Sequence, residues 1–207
     1  MNADEKRLIA GIFALMFVMC AVAPVALAGS EAAPEITDAE GDASGGGYAD
    51  PTGLSSFIDI VSGWFDSETD AAFNTNLKLK GLNPEPGTVL PAVFGTTYYI
   101  YFTVGEKSYV ARCWGDFTAF PTDPTPIYTY TLLDADGNEI AALENGSVNV
   151  DTEIITMTVP KDKVGSPSAG SLLTQCYAST EATAWGEGAE EGLKMEDRAP
   201  DADFGTP

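Results

Sequence analysis

The chain reads as an all-β protein, an antiparallel β-sandwich or jelly roll of about nine strands behind an N-terminal signal peptide. Three observations predict this. Short runs of β-branched and aromatic residues recur, with turn residues spaced roughly every 8–12 positions. Several runs alternate apolar with polar side chains, the period of a half-buried strand. No long stretch carries a helical period, and no repeat of fixed length appears.

The elements follow in order. Met1 to Arg7 is polar and charged, Leu8 to Ala23 is apolar, and Ala26-Leu27-Ala28 follows Pro24. A basic edge, an apolar core and a small-x-small end make a secretory signal over residues 1–28. The same stretch is long enough to serve as an uncleaved anchor. Lipidation at Cys20 is disfavoured by Met19 before it, and a pilin-type signal by Leu8 after Arg7. Residues 29–34 read as a flexible linker, residues 35–185 as the sandwich domain, and residues 186–207 as an acidic, flexible C-terminal segment.

Within the domain, Phe57 to Phe65 predicts the first clear strand. Ala72 to Lys80 predicts the next, with Leu77 and Leu79 alternating against Lys78 and Lys80. Gly81 to Gly95 holds Pro84, Pro86 and Pro91 and reads as a loop. Thr97 to Val104 and Lys107 to Trp114 form a hairpin about Gly105-Glu106. Gly115 to Pro126 is another loop. Ile127 to Leu133 and Glu139 to Leu143 flank Asp134-Ala135-Asp136-Gly137-Asn138, a strong turn. Its glycine comes too early for an EF-hand loop. Val148 to Val150 pairs with Ile154 to Val159, Pro160 to Gly165 predicts one helical turn, and Leu172 to Ser179 the last strand.

Charge and composition narrow the function. The formal net charge is −21, and the charges of residues 1–28 cancel. Nucleic acid is excluded as a partner, because phosphate binding needs Lys and Arg. Anionic membrane surfaces are disfavoured for the same reason, leaving the N-terminal segment, if uncleaved, as the membrane contact. The chain holds no histidine. That removes Ser-His-Asp and Cys-His nucleophile systems and disfavours zinc and copper. Carboxylates are abundant, so calcium is the metal this composition suits. No spacing among the acids marks a hydrolytic pair, and the expectation is a non-catalytic protein. Cys113 and Cys176 remain once Cys20 leaves with the signal, and in an oxidising compartment they are expected to form a disulfide, the alternative being two separate buried thiols.

The most specific constellation is Asp38-Ala39-Glu40-Gly41-Asp42 followed by Ile58-Asp59-Ile60. Asp59 stands in an apolar strand, where an unpaired carboxylate is costly. Calcium held by Asp38, Asp42 and Asp59 would satisfy it. The alternative is that Asp59 faces solvent or caps a turn beside a solvated loop. Asn145-Gly146-Ser147 is an acceptor pattern for N-glycosylation at Asn145.

The Asp38/Gly41/Asp42 loop, the Asp59-Ile60 strand with Trp64, and the Leu77-x-Leu79 strand together resemble the extracellular DOMON and family 9 carbohydrate-binding superfamily. Tyr98-x-x-Tyr101-Phe102-x-Val104, Val159-Pro160 and Ala199-Pro200-Asp201 fit the same pattern over roughly residues 35–203. The resemblance implies a β-sandwich, often with structural calcium, that binds sugars or haem. Without histidine, only Met157 or Met195 could stand in as haem ligands, and haem is discounted. For sugars the aromatic candidates are Trp64, Trp114, Trp185, Tyr98 and Tyr128. Trp64 and Tyr101 read as core, which leaves Trp114 and Trp185 as the exposed ligand-binding candidates. The expected protein is therefore a secreted or cell-surface module that binds an extracellular glycan or a surface protein. The alternative is a surface protein that self-assembles by donating the strand in residues 29–38 to a neighbour.

Overall fold

A computed structural model describes residues 29–45, 54–82, 93–117, 126–185 and 193–200. The signal segment 1–28 lies outside the described residues, as do residues 46–53, 83–92, 118–125, 186–192 and 201–207. Twelve strands are present among the described residues, in two antiparallel sheets. The all-β sandwich is therefore as the sequence predicts, with three strands more.

The five-stranded sheet has the order β1 (Ile36–Thr37), β3 (Ile60–Asp66), β4 (Ala72–Leu79), β10 (Ile154–Pro160), β9 (Gly146–Asn149). The seven-stranded sheet runs β2 (Ser44–Gly45), β12 (Leu193–Ala199), β11 (Leu173–Trp185), β5 (Val93–Val104), β6 (Lys107–Asp116), β7 (Ile127–Asp134), β8 (Glu139–Ala142). A 3-10 turn at Leu54–Phe57 precedes β3, where the sequence suggests continuous strand, and another at Lys161–Lys163 follows β10. No helix among the described residues is long and apolar enough to cross a membrane.

Alternation explains the layers. Leu77 and Leu79 of β4, Ile155, Met157 and Val159 of β10, and Ile100 and Phe102 of β5 all face the interior. Phe65, Phe73 and Phe102 meet edge to face or tilted, with ring centroids 5.6–6.3 Å apart. A second, smaller apolar cluster of Phe57, Ile58, Phe117, Ala182 and Met195 fills one end of the sandwich. Each fully buried large side chain contributes roughly 1.5–3 kcal/mol, so the core alone justifies two sheets face to face.

Two expectations about the chain ends are corrected. Residues 186–207 are not flexible throughout, because Leu193–Ala199 forms β12, paired along β11. Met195, Asp197 and Ala199 face inward, while Lys194, Glu196 and Arg198 face water. The acidic composition hides this period-2 pattern. Residues 29–34 are not a plain linker either: Ser30 and Ala33 exchange backbone hydrogen bonds, and Glu31 pairs with Lys78.

The predicted disulfide is also overturned. Cys113 and Cys176 are free, buried thiols on β6 and β11. Strand β5 runs between them, which separates them by about 9.5 Å across the sheet. Cys113 lies opposite Tyr98, and Tyr98 lies opposite Thr180, four residues along β11 from Cys176. That adds about 13 Å along the strand, whereas a disulfide needs Cα atoms within about 7 Å. Burial raises both thiol pKa values, that of Cys176 to about 12.

Candidate metal centre and ligand groove

The loop between β1 and β2 carries Asp38 and Asp42, and it turns back at Gly41, whose φ of +93° favours glycine. The turn brings both aspartates against Asp197 of β12. Ligand oxygens of Asp38, Asp42 and Asp197 all lie within 4.8 Å of one another. Asp197 is the most buried of the three. Its Oδ2 accepts the Ile60 N–H at 2.7 Å and its Oδ1 the Arg198 N–H at 2.9 Å. The first of these bonds joins β12 of one sheet to β3 of the other. Burial raises the Asp197 pKa to about 6, and the nearby charges of Asp42 and Asp59 add to the rise. Asp42 and Asp197 also line a 340 Å³ hollow shared with Glu181 and Glu196.

The structure brings Asp38 and Asp42 together as the sequence suggests, and places Asp197 rather than Asp59 with them. Asp59 is buried beside the group, but its carboxylate is committed elsewhere. Both of its oxygens accept the Gly41 N–H, at 3.0 and 2.8 Å, and Lys80 Nζ lies 3.2 Å from Oδ2. Asp59 shapes the loop that presents Asp38 and Asp42, and Asp197 completes the cluster. The signal for Asp197 is in the sequence. It occupies the inward phase of Met195-x-Asp197-x-Ala199, the same argument that singles out Asp59.

The aromatic candidates separate by face. Tyr98 is fully buried and Tyr128 half-buried, both directed inward, so neither is a sugar platform. Trp64 is buried as expected, with its Nε1–H donating to Asp66. Trp114 is 40 % exposed on the outer face of the seven-stranded sheet, in one cross-strand row with Thr97 and Thr129. Trp185 ends β11 opposite Val93, and its side chain lies outside what is described. Tyr101, read as core, instead stands half-buried on the outer face, stacked on Tyr177 with centroids 4.0 Å apart. Arg198 lies 5.1 Å over the Tyr177 ring.

Beside this pair runs a 250 Å³ groove lined by Tyr101, Tyr177, Thr103, Ser108, Val110 and Gln175 among others, none of them charged. A β-bulge between Thr174 and Tyr177 holds Gln175 at a φ of +52°. The bulge brings its side chain toward β5, where Oε1 accepts the Thr103 hydroxyl at 3.2 Å. Ser108 Oγ lies 2.9 Å from the same hydroxyl. The groove therefore offers an aromatic wall and a row of neutral hydrogen-bonding groups.

Asn145 is exposed in the connection between β8 and β9. The Asp134–Asn138 segment is a hairpin turn, with Asp134 Oδ1 accepting the Asp136 and Asn138 N–H groups. Within residues 29–38, Ile36–Thr37 already pairs with β3 and Ile36 is fully buried. Donor-strand exchange would first have to remove β1 from its own sheet.

No family model, curated protein or solved structure matches this chain.

Proposed function

We propose that this chain is a secreted or cell-surface, non-catalytic binding module, stabilised by calcium and directed to a neutral extracellular glycan. The observation that carries the reading is the convergence of Asp38, Asp42 and Asp197. Three carboxylates this close repel one another, and a divalent cation with hard oxygen preference converts that cost into a link between the sheets. Asp197 is also bonded to β3, so an ion there would fasten the β1–β2 loop, β12 and β3 together. The signal-like residues 1–28 support an extracellular setting, where calcium is plentiful.

The uncharged groove supports the glycan part. An aromatic wall matches the apolar face of a sugar ring, and Gln175, Thr103 and Ser108 match its hydroxyls. In a chain of net charge −21, a groove without charged lining favours a neutral ligand. Trp114, on the same face, would extend the surface along a longer saccharide.

Thermal unfolding in EDTA and then in millimolar calcium tests the first part. A specific site raises the melting temperature in wild type and not in Asp42→Ala; equal shifts in both would remove the assignment. For the second part, a glycan array should give hits that Tyr101→Ala abolishes. An array without hits would overturn the glycan reading and leave the cation reading standing.

A further inference from the structure

Gly29, the first described residue, is folded back onto a carboxylate. Its N–H donates to Glu35, and a Cβ on Gly29 would overlap both oxygens of that side chain. The turn between the two residues is closed by the paired backbone bonds of Ser30 and Ala33, at 3.2 and 3.0 Å. Glu35 is half-buried, and its Oε2 also accepts the Phe65 N–H of β3 at 3.1 Å, beyond the point where β1 stops pairing.

This carboxylate lacks a cation. Among the described residues no lysine or arginine forms an ion pair with Glu35, and Lys78 of β4 is taken by Glu31. Burial pushes the Glu35 pKa up, and the charge of Asp66 adds to the rise. Asp66 accepts the Trp64 Nε1–H on Oδ2, while its Oδ1 is buried with no hydrogen-bond partner. Two acidic side chains thus stand along β3 with N–H donors but no positive charge.

We infer that hydrolysis between Ala28 and Gly29 supplies that charge, turning the Gly29 nitrogen into an ammonium that forms an ion pair with Glu35. This rests on the extracellular reading above. Sequence and structure meet at one peptide bond. Ala26-Leu27-Ala28 is the small-x-small end after which a leader protease cuts, and glycine is the residue for which Glu35 leaves room at the next position. Water is the co-reactant. Its oxygen goes to the carbonyl carbon of Ala28, which leaves as a carboxylate, and its two hydrogens go to the Gly29 nitrogen, which already carries one. A neutral amide becomes a cation with three donors while the nitrogen stays where it is. Charge-assisted bonds to a carboxylate are roughly twice as strong as neutral ones, so processing tightens the clasp on β3.

The whole chain, expressed with its own residues 1–28 in a secreting host, tests this. The mass of the exported protein should be that of residues 29–207. Competitive acetylation with acetic anhydride, read on the N-terminal peptide against pH, then gives the pKa of the new amine. An ordinary α-amine titrates at about 8. Paired with Glu35 it should titrate about one unit higher or more, and at pH 7 it should react about tenfold more slowly than in Glu35→Gln. Cys176 of β11 also lies near Glu35, but its thiol, raised by burial to about 12, stays neutral over this range. A product that keeps residues 1–28 overturns both the cleavage and the secretory reading, and a cut elsewhere overturns the inference alone. A cut at Gly29 with an amine that titrates at about 8 overturns the ion pair and leaves the secretory reading standing. The wild-type titration alone gives that answer, whether or not Glu35→Gln folds.

Discussion

Replacing Asp197 with asparagine should change stability in opposite directions with and without calcium. The Asp197 pKa stands at about 6 in the folded chain against an ordinary 3.8. A difference of about 2 units corresponds to about 3 kcal/mol between the two protonation states. The folded value is the higher one, so the unfolded chain gives up its proton first as pH rises. The folded state is therefore unpenalised below about pH 4, loses stability between about pH 4 and 6, and bears the full cost at pH 7. Asp197→Asn abolishes that cost. Its amide oxygen can still accept the Ile60 N–H, but the Arg198 N–H loses its acceptor, at about 1 kcal/mol. At pH 7 in EDTA the variant should be about 2 kcal/mol more stable than wild type, or about 4–8 °C in melting temperature. At pH 4 the order should reverse. In calcium at 100 times Kd, wild type gains about 2.7 kcal/mol and overtakes the variant. Differential scanning calorimetry in the two buffers at both pH values reads all of this. A variant less stable than wild type at pH 7 in EDTA would refute the argument from burial and, after it, charge repulsion at Asp197, and an equal calcium shift in both proteins would refute the site.

Other outcomes follow from the same geometry. Lys161 Nζ is buried and lies 2.8 Å from Glu68 Oε1, so Glu68→Gln strands an ammonium and should cost about 3 kcal/mol in urea unfolding, whereas Lys161→Met should cost less because Glu68 reaches water and keeps the Gly170 N–H. Burial works to raise the Glu68 pKa, but Lys161 and the Gly170 N–H outweigh it and leave the value lowered; this contribution should therefore persist at neutral pH and fade as pH drops below the ordinary carboxylate range. Gly115→Ala puts a methyl 2.8 Å from the Tyr128 ring and 2.9 Å from Thr96 Oγ1, and should destabilise by about 1–3 kcal/mol in a thermal melt followed by circular dichroism. Reductant should leave the melting temperature unchanged, and peptide mapping after thiol labelling should find Cys113 and Cys176 modified only in denaturant.

What was legible in the sequence was local. The β5–β6 and β7–β8 hairpins announce themselves because a turn and its two alternating strands sit within one short window. The β4 strand is equally plain from Leu77 and Leu79 between lysines. Strands β1 and β2 are two residues each, too short to show a period. Strand β12 is concealed by Glu196 and Asp197, since an acidic run reads as solvated until its phase is followed. The cysteine pair failed for a different reason. Compartment and count favour a bridge, but strand order decides distance, and no local pattern reveals that β5 lies between β6 and β11. The candidate centre was two-thirds legible for the same reason. Asp38 and Asp42 share a loop, while Asp197 arrives from the far end of the chain.

The Ile60–Asp197 bond has a consequence for the order of events in folding. Its partners are 137 residues apart. A contact of that span closes late, because most of the chain entropy must be surrendered before it forms. The earlier hairpins can assemble while synthesis continues, but neither the sheet-to-sheet tie nor the carboxylate cluster can exist until residue 197 has emerged. The chain therefore holds neither the tie between its sheets nor the three juxtaposed carboxylates until the end of its synthesis, and both arrive among the late events of folding.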